Sequence, residues 1–157
     1  MTSDKDKAGN PGKAVDFAAL KSYVGYRTRQ AQLAIFRDFA GITAETGLSP
    51  GQFSLLTLIG SNPGINQITL AALHNLDKST LSLAIRALKR QDLIESRRQP
   101  EDGRFYALHL TRAGSALVKR ATQLVERQER RMEKALKPGE RAQLIDMLKR
   151  ITRALEG

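Results

Sequence analysis

A chain of 157 residues with 26 lysines and arginines against 16 aspartates and glutamates carries a formal net charge of +10, and it contains no cysteine. That length holds one domain with a proper core, or a small domain with a dimerisation arm, and the missing cysteine excludes disulfides, thiolate nucleophiles and sensing by thiol oxidation. The charge points to a polyanionic partner or, in its plainest reading, to solubility alone. No apolar run approaches the roughly 18 to 20 residues that span a bilayer, and the N-terminal stretch has no apolar signal core. No membrane partner is therefore expected, and the expected location is cytoplasmic. The two histidines, His74 and His109, lie far apart, and neither belongs to a metal-ligating spacing. No metal, no cofactor and no catalytic site is expected, because no plausible nucleophile or His/Asp pair is present.

Residues 1–14 are polar and broken by Gly9, Asn10, Pro11 and Gly12, which reads as a disordered tail. A long helix is expected from about Asp16 to Thr46. Phe17, Leu20, Val24, Thr28, Ala31, Ile35 and Phe39 recur at three- and four-residue steps as a continuous buried stripe. Tyr23, Tyr26, Leu33 and Phe36 widen that surface, as expected of a helix lying between its own domain and another chain. Arg27, Arg29 and Gln30 interrupt it with polar groups, either solvated and paired or anchoring an acidic ligand.

Gly47 suits a left-handed helix cap, and Ser49-Pro50-Gly51-Gln52 has the form of a capping box with proline in the first turn. Phe53, Leu55, Leu56, Leu58 and Ile59 make the next helix core. Ser61-Asn62-Pro63-Gly64 is a turn. A short helix over Ile65–Asn75 and a three- or four-residue connection then lead to a second helix capped by Asp77 and reaching about Gln91.

This second helix has two faces. Leu81, Ala84, Ile85 and Leu88 form one apolar stripe. Ser79, Ser82, Arg86 and Lys89 are expected opposite it, and none is acidic. Such a helix suits the major groove of DNA, where hydroxyls and cations reach base edges and phosphates. Asp92 is expected in a left-handed cap. Leu93–Arg98 alternates as a half-buried strand, Gln99–Gly103 is a turn, and Arg104–Leu110 returns as a second strand. This ribbon is a wing, with Arg97, Arg98 and Arg104 beside DNA and Asp102 orienting Arg104. Thr111 caps a helix running to about Leu136, with Gly114, Leu117, Ala121, Leu124 and Val125 on its buried side. Glu126–Arg131 reads as a solvated charged face with i, i+4 pairs. Pro138 opens a last helix whose stripe of Leu144, Ile145, Leu148, Ile151 and Leu155 needs a partner, for which the first helix of a second subunit is the natural candidate.

The run Leu76-Asp77-Lys78-Ser79-Thr80-Leu81-Ser82, then Leu93-Ile94, then Asp102-Gly103-Arg104 through Leu108-His109-Leu110-Thr111-Arg112-Ala113-Gly114, resembles the MarR family of winged-helix regulators. Leu48-Ser49-Pro50-Gly51-Gln52-Phe53 resembles that family's entry to its second helix, and the likeness covers nearly everything from Asp16 onward. It implies a mostly α fold with a small two-stranded wing. Residues 47–111 would form the winged helix-turn-helix DNA-binding domain, and 15–46 with 112–157 the helical dimerisation region. It also implies a homodimer whose first, fifth and sixth helices interlock, reading a pseudo-palindromic operator in double-stranded DNA, usually as a repressor released by a small ligand. Carried over with the basic residues around them, the DNA contacts are Lys78, Ser79, Thr80, Ser82, Arg86, Lys89, Arg97, Arg98 and Arg104, the last at the minor groove.

The family's effector crevice leaves a small organic anion as the expected ligand here. It would be an aromatic acid of the hydroxycinnamate kind or its coenzyme A thioester. Tyr23, Tyr26, Phe36 and Phe53 would line the apolar part and Arg27 or Arg29 would pair the anion, unless these side chains are ordinary core and interface. Two departures stand out. Leu83 occupies a position where many members carry arginine, and Asp92 replaces a glycine. The rival readings are a winged-helix protein-interaction module and a DNA-binding protein indifferent to ligand.

Overall fold

A computed structural model describes residues 17–74, 77–98 and 106–156. The described residues fall into two compact units that divide between Ile35 and Phe36.

In the first unit the expected uninterrupted helix is broken. A 3-10 helix over Ala18–Ser22 ends at Tyr23 in an extended conformation (φ −77°, ψ 128°), and helix α1 (Val24–Thr46) starts only after it. Ala18 has φ 45°, outside the helical range, so the hydrogen-bond ladder cannot run through this stretch. Asp16, the expected cap, lies outside the described residues. Of the stripe expected to be buried, only Phe39 is buried within one chain. Phe17, Leu20 and Val24 are exposed, and α1 buries only Phe39 and Ile42, both beyond this unit.

The second unit holds the core, and its punctuation is local. Gly47 takes φ 72° and its N–H donates to the Thr43 carbonyl, which ends α1. Leu48 is then fully buried. Helix α2 (Pro50–Ser61) opens on a complete capping box, the Gln52 N–H donating to Ser49 Oγ at 3.2 Å and the Ser49 N–H to Gln52 Oε1 at 3.0 Å. It buries Leu55, Leu56 and Ile59.

Helix α3 (Gln67–His74) starts two residues later than expected. Asn66 caps it, accepting from the Thr69 N–H at 2.8 Å. Ile65 instead pairs with Leu108, whose N–H donates to the Ile65 carbonyl at 2.9 Å. The backbone of Leu108 is wholly buried and must be satisfied, so Ile65 serves as a single-residue third strand rather than a helical turn.

Helix α4 (Lys78–Arg90) runs into Asp92, which has φ 55° as expected, with the Leu93 N–H donating to the Leu88 carbonyl. Strands β1 (Ile94–Arg98) and β2 (Tyr106–Leu110) pair antiparallel, from Ile94 opposite Leu110 to Arg98 opposite Tyr106. Thr111 closes the ribbon. Its N–H donates to the Leu93 carbonyl at 3.1 Å, its hydroxyl to the Asp92 carbonyl at 2.6 Å, and its Oγ1 caps helix α5 (Arg112–Glu133) by accepting from the Gly114 N–H. Leu55, Leu56, Ile59, Leu70, Leu81, Ile85, Leu88 and Leu108 form the centre of the core beneath the helix-turn-helix.

The stretch expected as a solvated charged face is only partly one. Glu126 and Arg130 lie 3.9 Å apart as an exposed i, i+4 pair. Gln128, however, is 7% exposed and donates to Asp38 Oδ2 at 3.1 Å, while Arg131 donates to Asp38 Oδ1 at 2.7 Å. A carboxylate on α1, 90 residues away, turns that side of α5 inward.

Helix α5 stops at Glu133, short of Leu136. Helix α6 (Glu140–Glu156) opens at Glu140, whose carboxylate accepts from the Lys137 N–H, rather than at Pro138. No residue of α6 is buried, and Leu144, Ile145, Leu148, Ile151 and Leu155 are all exposed, Leu155 at 82%. No helix of the described residues is long and apolar enough to cross a membrane.

Candidate nucleic-acid interface

Asp77 organises the entry to α4. Its carboxylate accepts the Thr80 N–H at 2.8 Å and the Thr80 hydroxyl at 2.6 Å, and it also accepts the Ser79 hydroxyl. The Ser79 hydroxyl first, then the hydroxyl and N–H of Thr80, hold this carboxyl well below the usual carboxylate range. An ionised carboxylate only accepts, so both hydroxyls are donors here. What Ser79 and Thr80 have left to offer a ligand is acceptor capacity, suited to the amino groups of cytosine or adenine in the major groove.

The buried side of α4 is Leu81, Ile85 and Leu88. At 100° per residue, the direction opposite their mean carries Ser79, Leu83, Arg86 and Arg90. All four are exposed. Ser82 and Lys89, expected on that face, lie toward its edges. Lys89 is exposed, whereas Ser82 is half-buried and lines a cleft of about 170 Å³ with Gln67, Ile68, Ala71, Lys78 and Leu81. Sequence reasoning missed Arg90 and the central position of Leu83, although the same helical count carried one turn further would have found both. The Arg86 side chain lies along the helix, Nε 3.4 Å from the Ser82 carbonyl. Lys89 and Arg90 in the last turn also complement the helix dipole.

On the ribbon, Arg97 is already engaged. Its Nη2 and Nε donate to Glu95 Oε1 at 2.6 and 2.9 Å, both side chains standing on the same side of β1. The pair is solvent-exposed and contributes little to stability, but it competes with a phosphate for the guanidinium. Glu95→Gln is expected to tighten DNA binding about two- to fivefold and to steepen the dependence of log K on log salt by up to about 0.9 per chain. A salt series of binding isotherms checks it, and equal slopes would mean that Arg97 does not reach phosphate. Arg98 is exposed. Asp102 and Arg104 lie outside the described residues.

Of the residues expected to hold an effector, Tyr26 and Arg27 are brought together through Gln30. The Gln30 amide donates to the Tyr26 hydroxyl at 2.8 Å, and Arg27 donates to the Lys21 carbonyl at 2.8 Å and to Gln30 Oε1 at 3.4 Å. Tyr23 and Arg29 are exposed in the same unit. In the second unit Phe36 is exposed, while Phe53 is half-buried with its ring 6.3 Å from that of Phe39. Phe53 is thus at least partly core.

A two-helix reading head followed by a two-stranded antiparallel ribbon, with hydroxyls and cations on the outward side of the second helix, defines a winged helix-turn-helix DNA-binding protein. The model of the MarR family matches residues 48–105. A protein of Thauera aromatica assigned to transcriptional regulation of the hcr operon is 37% identical over 136 residues, covering 86% of this chain and 82% of its own. The repressor CouR bound to a 23-mer DNA duplex superimposes with a TM-score of 0.84 at 34% identity, over 89% of this chain and 99% of its own. CouR bound to p-coumaroyl-CoA gives 0.81 at 33% identity, with the same coverage. The PcaV regulator of Streptomyces coelicolor with its natural ligand gives 0.79 at 27%, over 92% and 99%. The chain belongs to the MarR family of DNA-binding transcriptional regulators.

Proposed function

We propose that this protein is a homodimeric repressor whose hold on a pseudo-palindromic operator is released by a small aromatic acid or its coenzyme A thioester. The observation that carries the reading is the outward side of α4, which offers acceptor hydroxyls and arginines and no acid. Lys78, Ser79, Thr80, Ser82, Arg86, Lys89, Arg97, Arg98 and Arg104 are its DNA contacts, and Arg90 joins them. The dimer is supported by α6, which buries nothing and exposes five large aliphatic residues in one stripe. An apolar stripe of that length is ordinarily covered. The ligand class is supported by CouR, found with p-coumaroyl-CoA, and by PcaV, found with its natural ligand. Of the two arginines expected to pair the ligand anion, Arg29 is the one on offer, since Arg27 donates to the Lys21 carbonyl and to Gln30.

The mechanism is one of spacing. Two α4 helices must stand about 34–36 Å apart to enter successive major grooves on one side of the duplex. A ligand that binds a different separation more tightly lowers DNA affinity by the ratio of its two affinities.

The test combines sedimentation with binding to the DNA upstream of the protein's own gene, with and without p-coumaroyl-CoA and a panel of free aromatic acids. A dimer whose DNA affinity falls about tenfold or more with one ligand, a coupling within the usual allosteric range, supports the whole reading. Affinity unchanged at saturating ligand would remove the effector class. Leu148→Asp, which puts an unpaired charge in the proposed interface, is expected to give a monomer with at least about 100-fold weaker operator binding. A dimer persisting in that variant would move the interface away from α6.

A further inference from the structure

Leu83 has no place in the core. It is 62% exposed in the middle of α4, one turn from Ser79 and one from Arg86, on the side opposite Leu81, Ile85 and Leu88. With Arg86, Lys89 and Arg90 it lines a shallow depression of about 320 Å³. A single exposed leucine is unremarkable on a protein surface. Here, however, three cations follow it within two turns of a helix without an acidic residue, and the partner those cations fit is a polyanion.

A helix docked in the major groove presents the centre of its outward side to base edges and its margins to phosphates. Base edges there are mostly hydrogen-bonding groups, and the apolar group that projects from them in unmodified DNA is the C5-methyl of thymine, cytosine carrying only a C5–H at the same place. A leucine held against a carbonyl or amino edge would strip that edge of water and return no hydrogen bond. We infer that Leu83 is a specificity-determining residue that packs on a thymine methyl, with Arg86, Lys89 and Arg90 fixing the helix over the strand. The inference rests on the reading that α4 enters the major groove, and it assigns that reading's base preference at one position of each half-site.

Replacing thymine by deoxyuridine removes that methyl and nothing else. The experiment selects a duplex from a random library with the wild-type protein, then remakes it with each thymine in turn as deoxyuridine. Affinities are measured for wild-type and Leu83→Ala protein. Because Leu83 is exposed, the variant should keep its fold, and circular dichroism checks this.

The expected result is one thymine per half-site whose conversion weakens wild-type binding about fourfold, or about fifteenfold when both half-sites are changed, from the transfer of one methyl-sized group. The same conversion should leave Leu83→Ala within about 1.5-fold. A selected site with no such thymine, or equal sensitivity of the two proteins, overturns the inference while leaving DNA binding intact. Failure to select any sequence, with Arg86→Ala binding DNA as well as wild type, would instead count against α4 as the reading element.

Discussion

Replacing Gly114 with alanine is expected to lower the melting temperature by about 6–12 °C. A Cβ built at this position falls 1.9 Å from the Leu93 carbonyl oxygen and 2.9 Å from its carbonyl carbon. No side chain can swing away to relieve that overlap, because both atoms are backbone. The same oxygen accepts the Thr111 N–H, and Leu93 is buried at the root of the ribbon. Either β1 or the first turn of α5 must move, at a cost of about 3 kcal/mol or more. For a chain of this size each kcal/mol corresponds to roughly 2–4 °C. Gly51→Ala is the control. Its Cβ meets nothing within 4 Å in the first turn of α2, and its effect should stay within about 0.5 kcal/mol. Calorimetry on the two variants side by side decides the matter, and a Gly114→Ala protein melting within about 2 °C of wild type would refute the close-packing argument.

Removing both arginines from the outward side of α4, as Arg86→Ala with Arg90→Ala, is expected to weaken operator binding by about 100-fold or more. Each arginine lost from a base edge costs about 1–3 kcal/mol, and each lost from a phosphate flattens the salt slope by about 0.9. The two cases are separable on one set of samples. If both side chains sit on phosphates, the slope falls by up to about 1.8 per chain and sequence preference survives. If one reads guanine, preference at that base pair relaxes and the slope changes by half as much. Neither substitution touches the core, since both side chains are exposed, so the thermal transition should stay within about 2 °C of wild type. Affinity unchanged in the double variant would remove α4 from the interface.

Much of the reading head could be read in the sequence because its determinants are local. Ser49 with Gln52, Asp77 with Thr80 and Thr111 with Gly114 are caps made within three residues, and Gly47 and Asp92 take the left-handed conformations their side chains allow. The leucine and isoleucine stripe of α4 follows from helical period alone. What could not be read depends on partners far along the chain. Ile65 looks like the first apolar residue of a helix, and only the buried edge of Leu108 makes it a strand. Gln128 looks like one polar residue among charged neighbours until Asp38 is placed beside it. The break at Tyr23 has no proline to announce it, and Gly25, two residues on, lies inside α1 rather than at the break. Of the candidate site, the cations of α4 were legible from composition and period. The Glu95 bond to Arg97 follows from the two-residue alternation of a strand, which puts both side chains on one side of β1.

The two hydrogen bonds that Thr111 donates to the Asp92 and Leu93 carbonyls have a mechanical consequence. They join the C-terminal end of α4 to the first turn of α5 through backbone carbonyls, so the two helices share a pivot with no slack. From that pivot the thirteen residues of α4 extend about 20 Å to Lys78. A tilt of about 10° at the pivot therefore sweeps the far end of α4 through roughly 3.5 Å, close to the 3.4 Å rise of one base pair. An angular change of that size is thus large enough to shift the reading helix by a full step along DNA, and it must carry the buried Leu81, Ile85 and Leu88 with it.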